Sequence, residues 1–102
     1  MSPLRVGLVG AGHISATHLR GWRQAQGCSV FSILDRDSSA AEARAQQFKV
    51  GRVCTTLDEL IADSDIVDIC TPPQSHYALA AEVVKAGKHL VIEKPIVTEV
   101  DD

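Results

Sequence analysis

The sequence predicts a doubly wound α/β domain: one parallel sheet in the order 3-2-1-4-5, helices on both faces, and a single unit over residues 1–102. Three observations predict it. Short apolar runs recur along the chain, helix start and stop signals stand between them, and the links are brief. Runs apolar on both faces suit strands covered on both sides. Short strand-to-helix links impose parallel pairing through right-handed crossovers.

Taken in order, Leu4–Val9 reads as the first strand and is followed by Gly10-Ala11-Gly12 and about twelve residues of helix. Ser29–Leu34 repeats the strand pattern, and Ser39-Ala-Ala-Glu42 fits a capping box that opens the second helix. Arg52–Thr55 is a shorter, weaker strand signal, and Thr56-Leu-Asp-Glu59 fits a second capping box. Ile66–Cys70 reads as the fourth strand, with Asp63 and Asp65 in the turn before it. Leu79 and Val83 share one face of the helix that follows, and Gly87 suits the left-handed residue that ends it. Lys85 and Lys88 lie near the negative end of that helix. His89–Ile92 is the fifth strand, and no linker, repeat or low-complexity stretch interrupts the series.

Composition narrows the function. The net charge of −3 comes with no Lys/Arg cluster, which argues against a nucleic-acid partner. No apolar run reaches spanning length and no signal peptide is evident, so the expectation is a cytoplasmic protein without a membrane partner. Cys28, Cys54 and Cys70 are odd in number and widely spaced. They match neither a disulfide framework nor a metal knuckle, and read as small, mostly buried apolar residues. His13 and His18 lie five apart, off one helical face and with no third ligand in sequence, so no metal is expected.

Gly10-Ala11-Gly12-His13-Ile14-Ser15 carries the first chemistry. Gly10 ends a strand and suits a tight turn; Gly12 lets the backbone approach a pyrophosphate, which the helix N-terminus then faces. Ser15 stands where a third small residue keeps helix and strand close, its hydroxyl within reach of a phosphate oxygen. Asp35, at the end of the second strand, suits the ribose hydroxyls of an adenosine and repels a 2′-phosphate, favouring NAD over NADP. Arg36 either stacks on adenine, pairs with that phosphate, or is simply a solvated charge. Asp37 opposes a 2′-phosphate and Ser38 mildly favours one.

Thr71-Pro72-Pro73 breaks the chain away from the carboxyl edge of the sheet, where ligands of open α/β sheets bind. Ser75 suits an N-cap, and His76 in the next turn faces the positive end of a helix dipole, which favours its neutral form. Glu93-Lys94-Pro95 follows the fifth strand. A lysine there reaches the nicotinamide end of a dinucleotide, where partial desolvation beside a positive ring favours a neutral amine ready for proton transfer. The Lys94–Pro95 bond is a candidate for cis geometry.

With these motifs in place, the chain resembles the Gfo/Idh/MocA oxidoreductases, which include glucose–fructose oxidoreductase and inositol dehydrogenase. The resemblance rests on Gly10-Ala11-Gly12-His13-Ile14, Asp35, Thr71-Pro72-Pro73 with His76, and above all Glu93-Lys94-Pro95, and it covers essentially all 102 residues. It implies hydride transfer at a carbinol carbon of a sugar, cyclitol or related alcohol, with Lys94 as the catalytic residue. The cofactor-binding residues it implies, together with the motif reading, are Gly10, Ala11, Gly12, His13, Ile14, Asp35, Arg36, Thr71, Pro72, His76, Glu93 and Lys94. Members of the family continue into a second α/β domain that holds the substrate and usually the oligomer interface, so a homo-oligomer is expected. The present sequence stops at Asp102. The expectation is therefore a truncated or excised cofactor domain that binds NAD without turnover and self-associates through the edge of its fifth strand.

Two rivals use a glycine-rich first turn: a stand-alone dinucleotide-sensing regulatory domain and a methyltransferase. Neither gives the Glu-Lys-Pro turn a role. Trp22 and Leu19 read as anchors of the first helix. Asp68, inside a strand, must be hydrogen-bonded or paired, or else lie near an exposed sheet end.

Overall fold

The computed structural model describes residues 3–71 and 76–92, the side chain of His76 excepted. Within them the order is β1 (Leu4–Val9), α1 (His13–Gln24), β2 (Cys28–Leu34), α2 (Ser38–Phe48), β3 (Arg52–Val53), α3 (Leu57–Ala62), β4 (Ile66–Ile69), α4 (His76–Lys85) and β5 (His89–Ile92). All strand pairs are parallel and the sheet order is β3-β2-β1-β4-β5, as the sequence predicts. Among the described residues, no helix is long and apolar enough to cross a membrane.

The period of two along the strands divides the core. Leu8 and Ile33 join Leu19 of α1 and Ala41 and Ala45 of α2 on one face. Val9, Val67 and Ile69 join Leu60, Ile61 and Val83 of α3 and α4 on the other. Leu8, Leu19, Ile33, Leu60 and Ile69 are each essentially fully buried, and each contributes about 2 kcal/mol through the apolar area removed from water. Cys54 and Cys70 lie in these cores, as expected, and Cys28 is half-buried. Burial pushes the Cys54 thiol above its ordinary range.

Three local expectations are corrected. The first halves of β1 and β2 are not covered on both faces: Leu4 and Phe31 are exposed. The β1–β2 register slips between Val6 and Gly7, pairing Val6 with Val30 and Gly7 with Ser32, so Phe31 has no cross-strand partner. Such a bulge turns a side chain outward, and the Arg5 guanidinium covers the Phe31 ring. Second, α2 is capped by Asp37 rather than Ser39; the Asp37 carboxylate accepts from the N–H groups of Ser39 and Ala40. Asp is as good an N-cap as Ser and, standing two residues earlier, starts the helix sooner. Third, β3 and β4 stop at Val53 and Ile69, short of Thr55 and Cys70.

The remaining ends match their signals. Thr56 and Glu59 form a reciprocal capping box on α3. Past α4, Gly87 has φ +76°, and the N–H groups of Gly87 and Lys88 reach back to the carbonyls of Val84 and Val83. That pair of bonds is the Schellman closure.

Gly7, at the centre of the sheet, is fixed by packing. A Cβ there would stand 2.6 Å from Leu60 Cδ2 and would strike the Ser64 hydroxyl. Gly7→Ala is expected to destabilise the domain by about 2 kcal/mol through overpacking, read as a lowered urea midpoint with unchanged slope. A second outcome concerns acid. Hydrogen bonds from the Thr55 backbone and hydroxyl hold the Glu59 carboxyl below its usual range. A depressed folded-state value contributes stability above the ordinary carboxylate range and loses it as pH falls. Glu59→Gln should therefore narrow the gap between urea midpoints at neutral and acid pH.

Candidate functional site

Where β1 ends, the backbone turns through Gly10 at φ +108°. The Gly10 N–H donates to the Leu34 carbonyl at 2.7 Å. A Cβ at Gly10 would stand 2.9 Å from the carbonyl carbon and oxygen of Cys70. Only glycine meets both conditions, so the ends of β1, β2 and β4 converge on one turn. On the β4 side, the Cys70 N–H donates to the Val9 carbonyl at 2.7 Å.

Gly12 is different. Its φ of −81° and ψ of −162° suit any residue, it is exposed, and a Cβ there would meet nothing within 4 Å. Folding alone places no demand on glycine at this position. Gly12 is also the N-cap of α1, which has no side-chain cap and no acidic residue in its first turn. By contrast, α2 has Asp37, and α3 has Thr56 with Asp58 and Glu59. Thus α1 presents its backbone donors and positive dipole end to whatever occupies the space beside Gly12. His13 and Ile14 are exposed in that first turn, Ile14 by 43%.

Ser15 is fully buried and donates to the Gly12 carbonyl at 2.6 Å. The hydroxyl therefore serves the turn and not a phosphate, correcting the sequence expectation; its small size does keep α1 close to the sheet. Arg44 of α2, which no motif marks, donates to Ser15 Oγ (3.1 Å) and to the Gly12 carbonyl (3.2 Å). It fixes the glycine turn from outside. The signal is tertiary, since an arginine on a helix surface reads as solvated.

Asp35 stands just past β2, half-buried. Its Oδ2 accepts from the Ala11 N–H at 2.7 Å and Oδ1 from the Asp37 N–H at 2.8 Å. The carboxylate thus ties the glycine turn to the start of α2, with lone pairs left for ribose hydroxyls. Arg36 is exposed beside it, and Asp37 is committed to capping. Thr71 follows Cys70 at the β4 edge of the same cleft, half-buried. Of the other expected site residues, His76 is the first residue of α4, while Pro72, Glu93 and Lys94, with the Lys94–Pro95 bond, lie outside the described residues.

Asp68 is fully buried and resolves the question its position raised. His18 Nδ1 approaches its oxygens at 2.9 and 2.7 Å, Trp22 Nε1 donates at 2.7 Å, and the Cys70 thiol lies 3.7 Å from Oδ1. Trp22 is thus the anchor the sequence suggested, through a polar bond as well as packing. His18 is no isolated histidine: it lies with Asp68 and Cys70, their ligand-type atoms all within 4.8 Å.

Residues 4–102 match the family model described as an oxidoreductase family with an NAD-binding Rossmann fold. The chain is similar to 4-carboxy-2-hydroxymuconate-6-semialdehyde dehydrogenase of Sphingobium sp., 35% identical over 91% of this chain and 30% of that protein. It is also similar to inositol 2-dehydrogenase of Rhizobium meliloti, 37% identical over 91% of this chain and 28% of that protein. Among solved structures, GenD2 from gentamicin A biosynthesis, in complex with NAD, superposes with a TM-score of 0.86 at 32% identity, covering 94% of this chain and 28% of GenD2. The chain therefore spans about three tenths of the length of the relatives it matches.

Because the buried Ala11 N–H depends on Asp35, Asp35→Ala should weaken the fold as well as any ligand. The expected loss is about 1–3 kcal/mol for an orphaned buried donor, measured by urea unfolding without ligand.

Proposed function

The chain belongs to the Gfo/Idh/MocA oxidoreductase family, and from that membership we propose that it is the cofactor half of a dehydrogenase acting on a sugar, cyclitol or related alcohol. The observation that carries the cofactor assignment is the open N-terminus of α1 behind Gly12, where neither conformation nor packing calls for glycine. An anion at that end takes up backbone donors that no side chain caps.

The residues fit a dinucleotide along the carboxyl edge of the sheet. Gly10, Ala11 and Gly12, with His13 and Ile14, face the pyrophosphate. Asp35 accepts from the adenosine ribose, and Arg36 flanks it. Thr71 stands just past the end of β4, and the family motif assigns Pro72 and His76 with it to cofactor binding. A bound NAD supplies a two-electron hydride acceptor. Lys94, with Glu93 beside it, takes the hydroxyl proton of the alcohol as its C–H hydride departs, and returns a proton in the reverse direction. Asp35 repels a 2′-phosphate, so NAD is preferred to NADP. Holding substrate and cofactor in reacting geometry calls for walls on both sides, and on this reading residues 1–102 form the cofactor-binding unit alone. They bind NAD without turnover, and substrate contacts and a homo-oligomer interface belong to a further domain. Three widely spaced cysteines that match no disulfide framework suit a reducing cytoplasm. Nucleic acid and membrane are not partners on this reading.

Calorimetric titration tests it. NADH should bind more tightly than NADPH, and Gly12→Val should abolish binding while leaving the unfolding midpoint nearly unchanged, since its side chain enters open space. A folded chain that binds neither nucleotide would overturn the assignment.

A further inference from the structure

We propose that Asp68, with His18 and Trp22, is a positioning unit that fixes α1 relative to the carboxyl end of β4, and that this spacing governs affinity for a whole dinucleotide more than for its adenosine half. The proposal rests on the dinucleotide reading above and assigns residues to it that none of the cofactor motifs contains.

The geometry is specific. One fully buried carboxylate receives His18 Nδ1 and Trp22 Nε1, both at 2.7 Å, from positions one helical turn apart on α1. Its other oxygen faces the Cys70 thiol, two residues on and just past the end of β4. Cys70 is the residue whose carbonyl meets Gly10, and Thr71 follows it. Asp68 therefore stands between the helix that begins at the glycine turn and the strand end that forms the opposite wall.

A carboxylate is an expensive way to hold a helix on a sheet. Apolar residues of similar volume usually serve stability as well or better. Packing of Leu19 holds α1 down but leaves rotation and sliding soft, whereas two directional bonds to one anion on a central strand fix both. The adenosine half of a dinucleotide meets Asp35 and the glycine turn, on the β2 side. The rest crosses from the α1 N-terminus to the β4 side, so only the whole ligand reads the α1–β4 spacing. Small displacements there are costly to a ligand held at both ends.

The test is NMR-detected titration of the 102-residue chain with NADH and, separately, with AMP, well below the unfolding midpoint of each variant. Asp68→Asn and His18→Leu should lose on the order of tenfold in NADH affinity, with AMP affinity changed by less than about twofold, within the scatter of unlinked sites. His18→Asn, whose amide N–H replaces Nδ1–H, should recover most of the loss. If Asp68→Asn does not fold, Trp22→Phe, which removes the N–H and keeps most of the ring, carries the same expectation. Variants that lose thermal stability but bind NADH as the unmodified chain does would reduce the unit to a packing anchor and overturn the proposal. So would equal losses for NADH and AMP. An unmodified chain that binds no NADH would overturn the dinucleotide reading itself, and this proposal with it.

Discussion

The approach of the Gly10 backbone to the Cys70 carbonyl is the constraint on which the cleft depends. With no Cβ in the way, the end of β1 lies directly against the end of β4. From this point α1 leaves over one face and the chain after β4 leaves toward the other, as in doubly wound sheets, where a crevice opens at the reversal of strand order. The Gly10–Leu34 and Cys70–Val9 hydrogen bonds hold β2 and β4 to the same level. Asp35 then bridges the turn to the start of α2. The site is thus a consequence of three strand ends brought level.

What was legible in the sequence was local. The strand runs, the Thr56–Glu59 box, the Gly87 stop and the glycine turn each signal within a few residues, and strand order follows from the alternation and the short links. The Phe31 bulge was not legible, because a parallel register is settled by the neighbouring strand and not by the strand's own pattern. Asp37 displaced Ser39 as the cap because both are competent and the sequence does not rank them. Arg44 and His18 were missed for one reason: their partners lie 29 to 50 positions away along the chain, and nothing near either residue hints at them. Asp68 carried a partial signal, since a charge within a strand demands a partner, but not that partner's name.

Two of the buried polar groups, Ser15 and Asp68, are handled in opposite ways. Ser15 turns its hydroxyl to the Gly12 carbonyl, a neutral bond completed within one turn of chain. Asp68 needs donors from another element, and α1 supplies them with an aromatic and an imidazole side chain. Both end on α1, and both stand beneath the region where a ligand would lie. These two thus share the element that faces the proposed anion, whereas the equally buried Ser64 hydroxyl donates to the Leu60 carbonyl of α3.

The three helix starts of α1, α2 and α3 show how stability and recognition divide between them. α2 and α3 spend good caps on their own orphan N–H groups, and α3 adds two carboxylates that favour its dipole. α1 forgoes both. A serine or aspartate at position 12 would fit the backbone angles found there and would add only a few tenths of a kcal/mol relative to glycine. The stability given up is therefore small. What glycine preserves is space beside unsatisfied donors, and an aspartate there would fill that space with charge of the wrong sign for a pyrophosphate. The weakest of these three caps is thus the most informative about its use.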